Sequence, residues 1–336
     1  MDDNSLGLDN IFVTLVNISQ QPSYNTIYIC LMIYKEKSTL PYSLIDNHIH
    51  GSFGVNFNEA SYDEIKYVLS ELYKRNIKGI CPTLVGDVDE KIYNQLKIFK
   101  NVKEEQLQNF NSEALVLGVH LEGTFLSPSK SGIQDNSVFK KPTIENFKNL
   151  VKDMESIVKI VTIAPELDVD LIEYLNNKGI KTQAGHSIAN NLNGCVATTH
   201  QFNAMPQIHH RNQTITLEGL IDNNIYCEII PDLIHTSVEI LKLFLKVKPS
   251  NKILLISDSL PSSNYDKNIV FCNKEINKEG KDKNGTLAGS NKTLDEIVKN
   301  LVEKQILSRE DIDQMAFKNQ IEYLSLNNDE INILNR

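Results

Sequence analysis

The histidines of this sequence are concentrated in one stretch of the chain. All eight lie between residues 48 and 235, and most stand at or just beyond the end of a short apolar run. Two of them, His48 and His50, are separated by a single residue. Because side chains alternate along a β-strand, this spacing directs both imidazoles to the same side. The pair is therefore predicted to reach one site.

Six further residues with metal-binding or acid-base side chains are placed at later apolar runs in the same way. They are His120 and Glu122 at the third run, His186 at the fifth, His200 at the sixth, His235 after the seventh and Asp258 after the eighth. Imidazole nitrogen and carboxylate oxygen together suit a divalent metal such as zinc, iron, manganese or cobalt. A single histidine such as His120 is more often a hydrogen-bonded part of the core than a ligand, so its role stays open at this point.

This set of side chains indicates metal-assisted hydrolysis. A bound divalent cation lowers the pKa of a water molecule from ~15.7 to about 7, so that hydroxide is present at neutral pH. A carboxylate that the metal does not fully use can accept the proton and return it to a leaving group. Asp258 is the candidate for this acid-base role.

The apolar runs predict the elements that carry these side chains. Between the runs, apolar residues spaced by three and four, such as Ile144, Phe147 and Val151, indicate amphipathic helices. Continuous apolar strands that alternate with helices are typical of a parallel sheet covered on both faces. Eight such units favour an α/β fold of the TIM-type (β/α)8 barrel kind, whose functional residues gather at the C-terminal mouth. The runs are residues 43–49, 79–85, 115–121, 157–163, 179–185, 195–202, 225–230 and 252–256.

We expect three regions along the chain. Residues 1–44 are predicted to form an N-terminal β-hairpin, with strands at 11–16 and 26–34, or a remnant of a small β-domain. Residues 45–326 are predicted to form the catalytic barrel, and residues 327–336 a C-terminal tail. Within the barrel region, the polar, lysine-containing residues 264–286 are expected to form a loop.

Composition and charge exclude several classes of function. The formal net charge is −9, so a broad attraction to nucleic acid or anionic lipid is not expected, and a small soluble partner is favoured. The five cysteines are widely spaced and include no Cys-x-x-Cys pair, which is typical of thiols in a reducing compartment. The first residues are acidic, and the longest early apolar run is too short to span a bilayer. We therefore expect a cytoplasmic protein without nucleic-acid or membrane partners.

Seven short motifs follow one another through the chain. They are Asp46-Asn47-His48-Ile49-His50-Gly51, His120-Leu121-Glu122-Gly123, Ala164-Pro165-Glu166, Ala184-Gly185-His186-Ser187, Thr199-His200-Gln201-Phe202-Asn203-Ala204-Met205-Pro206, Ser257-Asp258 and Gly285-Thr286-Leu287-Ala288-Gly289-Ser290. Their order and spacing, over roughly residues 45–320, resemble the N-acetylglucosamine-6-phosphate deacetylases of the amidohydrolase superfamily. Each motif alone is weakly specific, whereas the ordered series is quite specific.

The resemblance implies removal of the acetyl group from N-acetylglucosamine 6-phosphate, giving glucosamine 6-phosphate and acetate in amino-sugar catabolism. It implies that metal-bound hydroxide attacks the acetyl carbonyl while Asp258 acts as general base and then as general acid. It further implies a homodimer and one or two divalent ions, zinc first and iron, manganese or cobalt as alternatives. The ligands it implies are Glu122, His186 and His200 for the principal ion, and His48 and His50 for a second.

The same resemblance assigns residues to the substrate. Arg211 matches an arginine that looks like a phosphate ligand reaching across a dimer interface, and its guanidinium fork suits phosphate oxygens. Leu287 belongs to the loop that usually covers the acetyl end. The full set of substrate candidates is Asn203, Ala204, Arg211, His235, Leu287, Gln134 and His210.

Departures from the family pattern leave alternatives open. Gln134 stands where the family usually has a histidine, and Leu233 stands where it has a glycine. The small β-sandwich that the family builds from its chain ends is expected to be reduced or absent. The sequence is therefore also compatible with an amidohydrolase for a related N-acyl sugar or a cyclic amide, or with a catalytically silent sugar-phosphate-binding paralogue.

Overall fold

The structure is a computed structural model that describes residues 43–336. The hairpin predicted at residues 11–16 and 26–34 lies outside this range, so it stays a prediction. From Leu44 onward the described chain is organised around a parallel sheet whose strands follow the order of the sequence.

Eight strands form the barrel path of this sheet, and each predicted apolar run overlaps one of them. Each strand pairs in parallel with the next one along the chain. The predicted TIM-type barrel is thereby confirmed. The strands are β1 (Leu44–Ile49), β2 (Ile77–Leu84), β3 (Val119–Phe125), β4 (Val158–Ile163), β5 (Lys181–Ala184), β6 (Ala197–Thr198), β7 (Tyr226–Ile229) and β8 (Ile253–Leu255).

The barrel closes where the chain leaving β8 meets β1. Ile49 forms a parallel bridge with Ser259. At the same seam, the N–H of His50 donates to the carbonyl of Ser259 at 2.8 Å, and the N–H of Asp258 donates to the carbonyl of His48 at 2.9 Å. Closure therefore brings two histidines of the first strand region next to the acid that follows the eighth.

The strands are buried on both faces. In β8, Ile253 and Leu255 belong to the large apolar cluster that includes helix residues, whereas Leu254 between them belongs to a second cluster with Ile45 and Ile160. Successive residues of a strand point to opposite faces, so each face contributes to a different cluster. This arrangement explains why the sequence shows continuous apolar runs instead of alternation.

Amphipathic helices pack against these strands, for example α1 on β2 and α4 on β5. Capping boxes at Ser61 and Thr293 satisfy the first free N–H groups of α1 and α7. None of the described helices is both long and apolar enough to cross a membrane. The helices are α1 (Tyr62–Lys74), α2 (Asp89–Gln108), α3 (Ile144–Val151), α4 (Asp170–Asn177), α5 (Ile215–Ile221), α6 (Val238–Val247), α7 (Leu294–Glu303), α8 (Arg309–Asp313), α9 (Asn319–Leu324) and α10 (Asn328–Leu334).

The expected loop at residues 264–286 contains an antiparallel hairpin, Ile269–Phe271 with Lys274–Ile276. Its buried residues Phe271 and Ile276 pack with Leu260, which gives this polar segment a small apolar cluster of its own. Besides the hairpin, the strands outside the barrel path in residues 43–336 are Gly51–Ser52 with Val55–Asn56, and Leu115–Val116 beside β2. The described residues thus contain no β-sandwich.

The predicted tail at residues 327–336 is instead largely helical, because α10 buries one side against the barrel. Leu334 is fully buried, and its Cδ2 lies so close to Gly79 of β2 that a Cβ on that glycine would be 2.9 Å away. Glu330 forms an ion pair with Lys103 at 2.8 Å. The apolar pattern of this short helix, around Ile333 and Leu334, is too brief for periodicity alone to identify.

This packing predicts that the C-terminal helix contributes to global stability. Leu334→Ala should lower the free energy of unfolding by about 2–5 kcal/mol, the range for removing a fully buried leucine side chain. The matched control is Asn332→Ala on the exposed side of the same helix, expected to change it by less than about 0.5 kcal/mol. Urea unfolding of both variants measures the difference, and equal midpoints would show that residues 327–336 behave as a tail.

Candidate functional site

The candidate ligands lie at the carboxyl ends of different barrel strands. They are His48 in β1, His50 just after it, Glu122 in β3, His186 after β5, His200 after β6 and Asp258 after β8. All six are at least nine-tenths buried. Their convergence is the arrangement predicted for the C-terminal mouth of the barrel.

Glu122, His186 and His200 form the tighter of two ligand clusters. The Oε1 atom of Glu122 lies 3.1 Å from Nε2 of His186 and 2.9 Å from Nε2 of His200. The two Nε2 atoms are themselves 3.1 Å apart. Three ligand atoms at these separations surround a point where a small cation would contact all of them.

His48 and His50 form the second cluster with the other oxygen of Glu122. Its Oε2 lies 3.3 Å from Nε2 of His50 and 3.6 Å from Nε2 of His48. Asp258 also lies close to this pair, with Oδ1 at 3.1 Å from Nε2 of His50 and 3.5 Å from Nε2 of His48. Glu122 therefore presents one oxygen to each cluster, as a bridging carboxylate does.

Unpaired polar atoms test whether these residues fit a metal. His48 Nε2, His200 Nδ1 and Asp258 Oδ1 are buried and have no hydrogen-bond partner. Burying such atoms without a partner is costly, and a cation at the cluster would satisfy those that face it. Two of the three, His48 Nε2 and Asp258 Oδ1, face the clusters. The donor set of imidazole nitrogen and carboxylate oxygen therefore fits a divalent first-row metal.

Hydrogen bonds on the far side of the rings fix which nitrogen faces the site. The Nδ1 atom of His186 lies 2.7 Å from the carbonyl oxygen of Lys130, and that of His50 lies 3.3 Å from the carbonyl oxygen of Thr83. A carbonyl only accepts, so Nδ1 keeps the proton when either ring is neutral, and Nε2 can then offer its lone pair to a cation. This is how metal-ligating histidines are usually oriented.

The charges of the cluster stabilise one another. Burial alone would raise the pKa of Glu122, but the neighbouring His48 and His186 outweigh burial and hold this pKa well below its usual range. Burial likewise opposes ionisation of Asp258, yet His48 and His50 keep the pKa of Asp258 below its usual value. Both carboxylates are therefore anionic at neutral pH.

Backbone turns at the strand ends aim the ligands inward. His186, His200 and Asp258 have φ angles of 44°, 28° and 52°, in the left-handed region that non-glycine residues seldom adopt. Such conformations cost about 1–3 kcal/mol each and concentrate at functional sites. Beside Glu122, a Cβ on Gly123 would lie 1.7 Å from the backbone nitrogen of Gly86, so only glycine allows this close approach.

His120 packs behind the ligands. Its Nε2 lies 2.8 Å from the hydroxyl of Thr162, and its Nδ1 lies 3.3 Å from the carbonyl of Asn47. Burial and the neighbouring His48 hold the pKa of His120 well below its usual range, so the ring is neutral. With both nitrogens engaged, His120 acts as a hydrogen-bonded core residue beside His48.

A cavity of about 320 Å³ opens above the clusters. Five of the seven predicted substrate residues line it: Gln134, Asn203, Ala204, His235 and Leu287. The amide of Gln134 also donates to the carbonyl oxygen of Glu122 at 3.0 Å and to Oε2 of Glu122 at 3.3 Å. In this structure Gln134 therefore holds the bridging carboxylate in place.

Two predicted substrate residues lie elsewhere. His210 and Arg211 are exposed on the loop before α5, where Nη1 of Arg211 lies 2.9 Å from Nε2 of His210. Neither lines the cavity of this chain. The role predicted for Arg211, binding the substrate phosphate in a partner's site, therefore stays a hypothesis.

The loop around Leu233 keeps His235, a predicted substrate-binding residue, in position despite the departure from the family pattern. Leu233 has a φ of 66°, a conformation that glycine adopts without strain. The Asp232 carboxylate accepts the N–H of Ile234 and of His235 and lies 2.8 Å from Nδ1 of His235. These bonds keep His235 at the cavity although a leucine occupies the turn.

Sequence reasoning missed Glu228. This glutamate lies in β7, is fully buried, and has Oε2 at 3.1 Å from Nδ1 of His48. The available signal was an acidic residue within the apolar run 225–230, where an uncompensated charge would be unfavourable. That signal predicts a buried partner without identifying it.

The comparisons confirm the resemblance carried by the motifs. The chain is 29% identical over 306 residues to the N-acetylglucosamine-6-phosphate deacetylase of Bacillus subtilis, covering 86% of this chain and 76% of that protein. It is 32% identical over 239 residues to the enzyme of that name from Rattus norvegicus, covering 65% of this chain and 56% of that protein. The chain thus spans little more than half the length of the rat protein. No protein-family model matches the chain.

A solved structure shares the fold. The crystal structure of N-acetylglucosamine-6-phosphate deacetylase from Thermotoga maritima aligns with a TM-score of 0.75 and 29% sequence identity, over 84% of this chain and 78% of that chain. The barrel and the order of its strands are thereby supported independently of the motifs.

The geometry predicts that His186 is a metal ligand. His186→Ala should weaken zinc binding to metal-free protein by at least about 100-fold, because losing a ligand costs more than the ~10–100-fold typical for its hydrogen-bond partners. His209→Ala, on an exposed loop, is the matched control and should bind like the wild type. Equilibrium dialysis with elemental analysis measures both, and unchanged zinc affinity of His186→Ala would contradict the assignment.

Proposed function

Because this chain is similar over most of its length to N-acetylglucosamine-6-phosphate deacetylases, we propose that it belongs to that family of the amidohydrolase superfamily and hydrolyses the acetamide of N-acetylglucosamine 6-phosphate. The products are glucosamine 6-phosphate and acetate. The observation that carries this proposal is the convergence of Glu122, His186, His200 and Asp258 at one cavity. A bond as stable as an amide requires an activated nucleophile, a stabilised oxyanion and a proton for the leaving amine, and this set supplies groups for each.

Glu122, His186 and His200 would hold the principal cation, and His48 and His50 would share Glu122 with a second. Zinc is the proposed metal because nitrogen and oxygen donors in this number are its usual ligands. When bound there, a divalent cation makes water a nucleophile at neutral pH and polarises a carbonyl. The protein's own residues bind the substrate, exclude water and move protons.

Asp258 is the proposed acid-base group. Its carboxylate is largely buried at the cavity, with Oδ1 3.1 Å from His50. As an anion it can take a proton from the attacking water at Oδ1 and then pass that proton to the nitrogen of the departing amine. The proton therefore stays within the site, and the amine leaves in neutral form.

The cavity suits an N-acetylated monosaccharide. Its volume of about 320 Å³ falls at the small end of ligand sites. Asn203 and His235 offer polar groups to the sugar, while Leu287 and Phe271 offer apolar surface to an acetyl methyl group. This division of polar and apolar lining supports an N-acetylated sugar as the substrate.

Replacement of the proposed acid-base group tests the function. Wild-type protein of known metal content should release acetate from N-acetylglucosamine 6-phosphate, and Asp258→Asn should lower kcat by about 10²–10⁴-fold because the amide cannot carry the proton. Metal content should stay unchanged. The matched control, Asp266→Asn on the exposed side of the same region, should retain wild-type kcat.

Other substrates separate the alternatives. The rate of acyl release from N-acetylglucosamine 6-phosphate is the reference. Faster release of the acyl group from the 4-epimer of this sugar phosphate, or from an unphosphorylated N-acyl sugar, would indicate that the chain deacylates that related substrate instead. Ordinary turnover by Asp258→Asn would refute the proposed proton transfer. Absence of acetate release from every substrate, with metal fully bound, would indicate a silent binding protein.

We also propose that the protein acts as a cytoplasmic homodimer. The helix α6 exposes Ile240, Leu243 and Val247, each about 40–48% exposed, at spacings of three and four that place them on one face. An apolar helix face of this kind supports a subunit interface. A reducing compartment is supported by Cys81, Cys195, Cys227 and Cys272, which are all unpaired thiols.

Within the dimer, Arg211 would bind the substrate phosphate in the partner's site. Arg211→Gln should then raise KM for the phosphorylated sugar by about 10–100-fold, as expected for the loss of ~1.5–3 kcal/mol of charge-assisted hydrogen bonding. The exposed Arg309 provides the control, and Arg309→Gln should leave KM unchanged.

Mixed dimers decide whether Arg211 acts across the interface. After subunit exchange, a dimer of one Arg211→Gln chain and one Asp258→Asn chain contains one complete site, so about a quarter of all sites should recover low KM and full kcat. No recovery after demonstrated exchange would contradict a role in the partner's site.

A further inference from the structure

Glu228 is a buried acid whose partner is a proposed metal ligand. It lies in β7 with no exposed surface, and of the ion pairs among residues 43–336 only the one with His48 involves it. Its Oε2 atom is 3.1 Å from Nδ1 of His48. A carboxylate in such a place is unfavourable unless its interactions compensate for lost solvent.

Both oxygens of Glu228 have fixed partners. The amide of Gln183 donates to Oε1 at 2.6 Å. Gln183 is itself held, because its Oε1 accepts the hydroxyl of Thr199 at 2.8 Å and its Nε2 lies 3.0 Å from the hydroxyl of Tyr323. The carboxylate therefore has one orientation, set by three other barrel and helix residues.

This orientation determines how His48 faces the candidate metal centre. With Oε2 of Glu228 accepting at Nδ1, the proton of a neutral His48 ring lies on Nδ1, and Nε2 offers its lone pair. Nε2 points between Glu122 and Asp258 and has no hydrogen-bond partner of its own. The rings of His186 and His50 are oriented by neutral carbonyl groups, so His48 is distinguished by an acidic partner.

We propose that Glu228 is a positioning residue that orients His48 and strengthens its bond to a cation at the His48, His50 and Glu122 site. The inference rests on the proposed function for the role of that cation. A carboxylate partner makes an imidazole a stronger ligand than a carbonyl partner does, and it fixes the ring as well. The second cation site of this chain therefore depends on a residue of β7, which is separated from β1 by β8 alone.

A competing geometry is a separate ion between His48, His120 and Glu228, whose ligand atoms also lie close enough together. The contacts of His120 argue against it. Both of its nitrogens already have partners, Thr162 and the carbonyl of Asn47. His120 would have to give up one of these bonds to bind an ion, whereas Glu228 needs no change to support His48.

Zinc titration of metal-free protein tests the proposal. The wild type should bind two equivalents, and His48→Ala should lose the weaker one. Glu228→Gln should weaken that same equivalent by about 10–100-fold and leave the tighter one unchanged. The matched control is Glu330→Gln. Glu330 is also a buried glutamate, but it pairs with Lys103 and not with a candidate ligand, so this variant should bind both equivalents of zinc like the wild type.

A second variant separates orientation from charge. Glu228→Asp keeps the negative charge but shortens the side chain by one methylene, so the bond to His48 is lost. Glu228→Asp should weaken binding of the same zinc equivalent. If this variant binds that equivalent with wild-type affinity, the negative charge alone matters, and the positioning role is overturned. The absorption spectrum of cobalt-loaded protein provides a second readout. In the Glu228 variants, only the absorption of the more weakly bound cobalt equivalent should differ from that of the wild type.

Three other results would overturn the proposal. They are two unchanged equivalents in Glu228→Gln, equal weakening of both equivalents, and a third equivalent lost with Glu228. A wild type that binds one equivalent, unaffected by changes at residues 48 and 228, would also overturn it. None of these depends on acetate release, so selective weakening without any deacetylation would refute the proposed function and leave this inference standing.

Discussion

The bridging position of Glu122 is the constraint on which the rest of the site depends. One carboxylate presents Oε1 to His186 and His200 and Oε2 to the His48 and His50 pair. A single rotation of this side chain would take both clusters apart. Gln134, in the wall of the cavity, restrains that rotation, since its amide donates to Oε2 of Glu122 and to the backbone carbonyl of the same residue.

The barrel provides the surroundings that this carboxylate needs. Strands far apart in sequence end side by side, and the seam between β8 and β1 sets Asp258 against His48 and His50. Three of the candidate site residues, His186, His200 and Asp258, lie in left-handed turns after their strands that direct their side chains inward, at a local energetic cost. The close packing of the barrel compensates for this cost, because its strands are buried on both faces.

The interior of the site is organised in two layers. Ligand atoms face the cavity, and the opposite ring nitrogens of His186, His50 and His48 meet acceptors behind them. In an isolated neutral imidazole either nitrogen can carry the proton. The acceptors of the rear layer determine which nitrogen carries it here. The unpaired buried atoms at the front then remain available to a cation, and binding there would favour the folded state.

The sequence by itself determined the eight barrel strands and the order of the candidate ligands along them. Burial on both faces makes each strand a continuous apolar run, and each candidate ligand stands at or near the end of such a run, so local pattern was sufficient. Only the tertiary structure decided that Gln134 supports Glu122, that His120 lies behind His48, that α10 packs on β2, and that Glu228 meets a histidine 180 residues away. Each of these contacts joins different parts of the barrel. The spacing of residues along the chain does not determine which residues of different strands and loops come into contact.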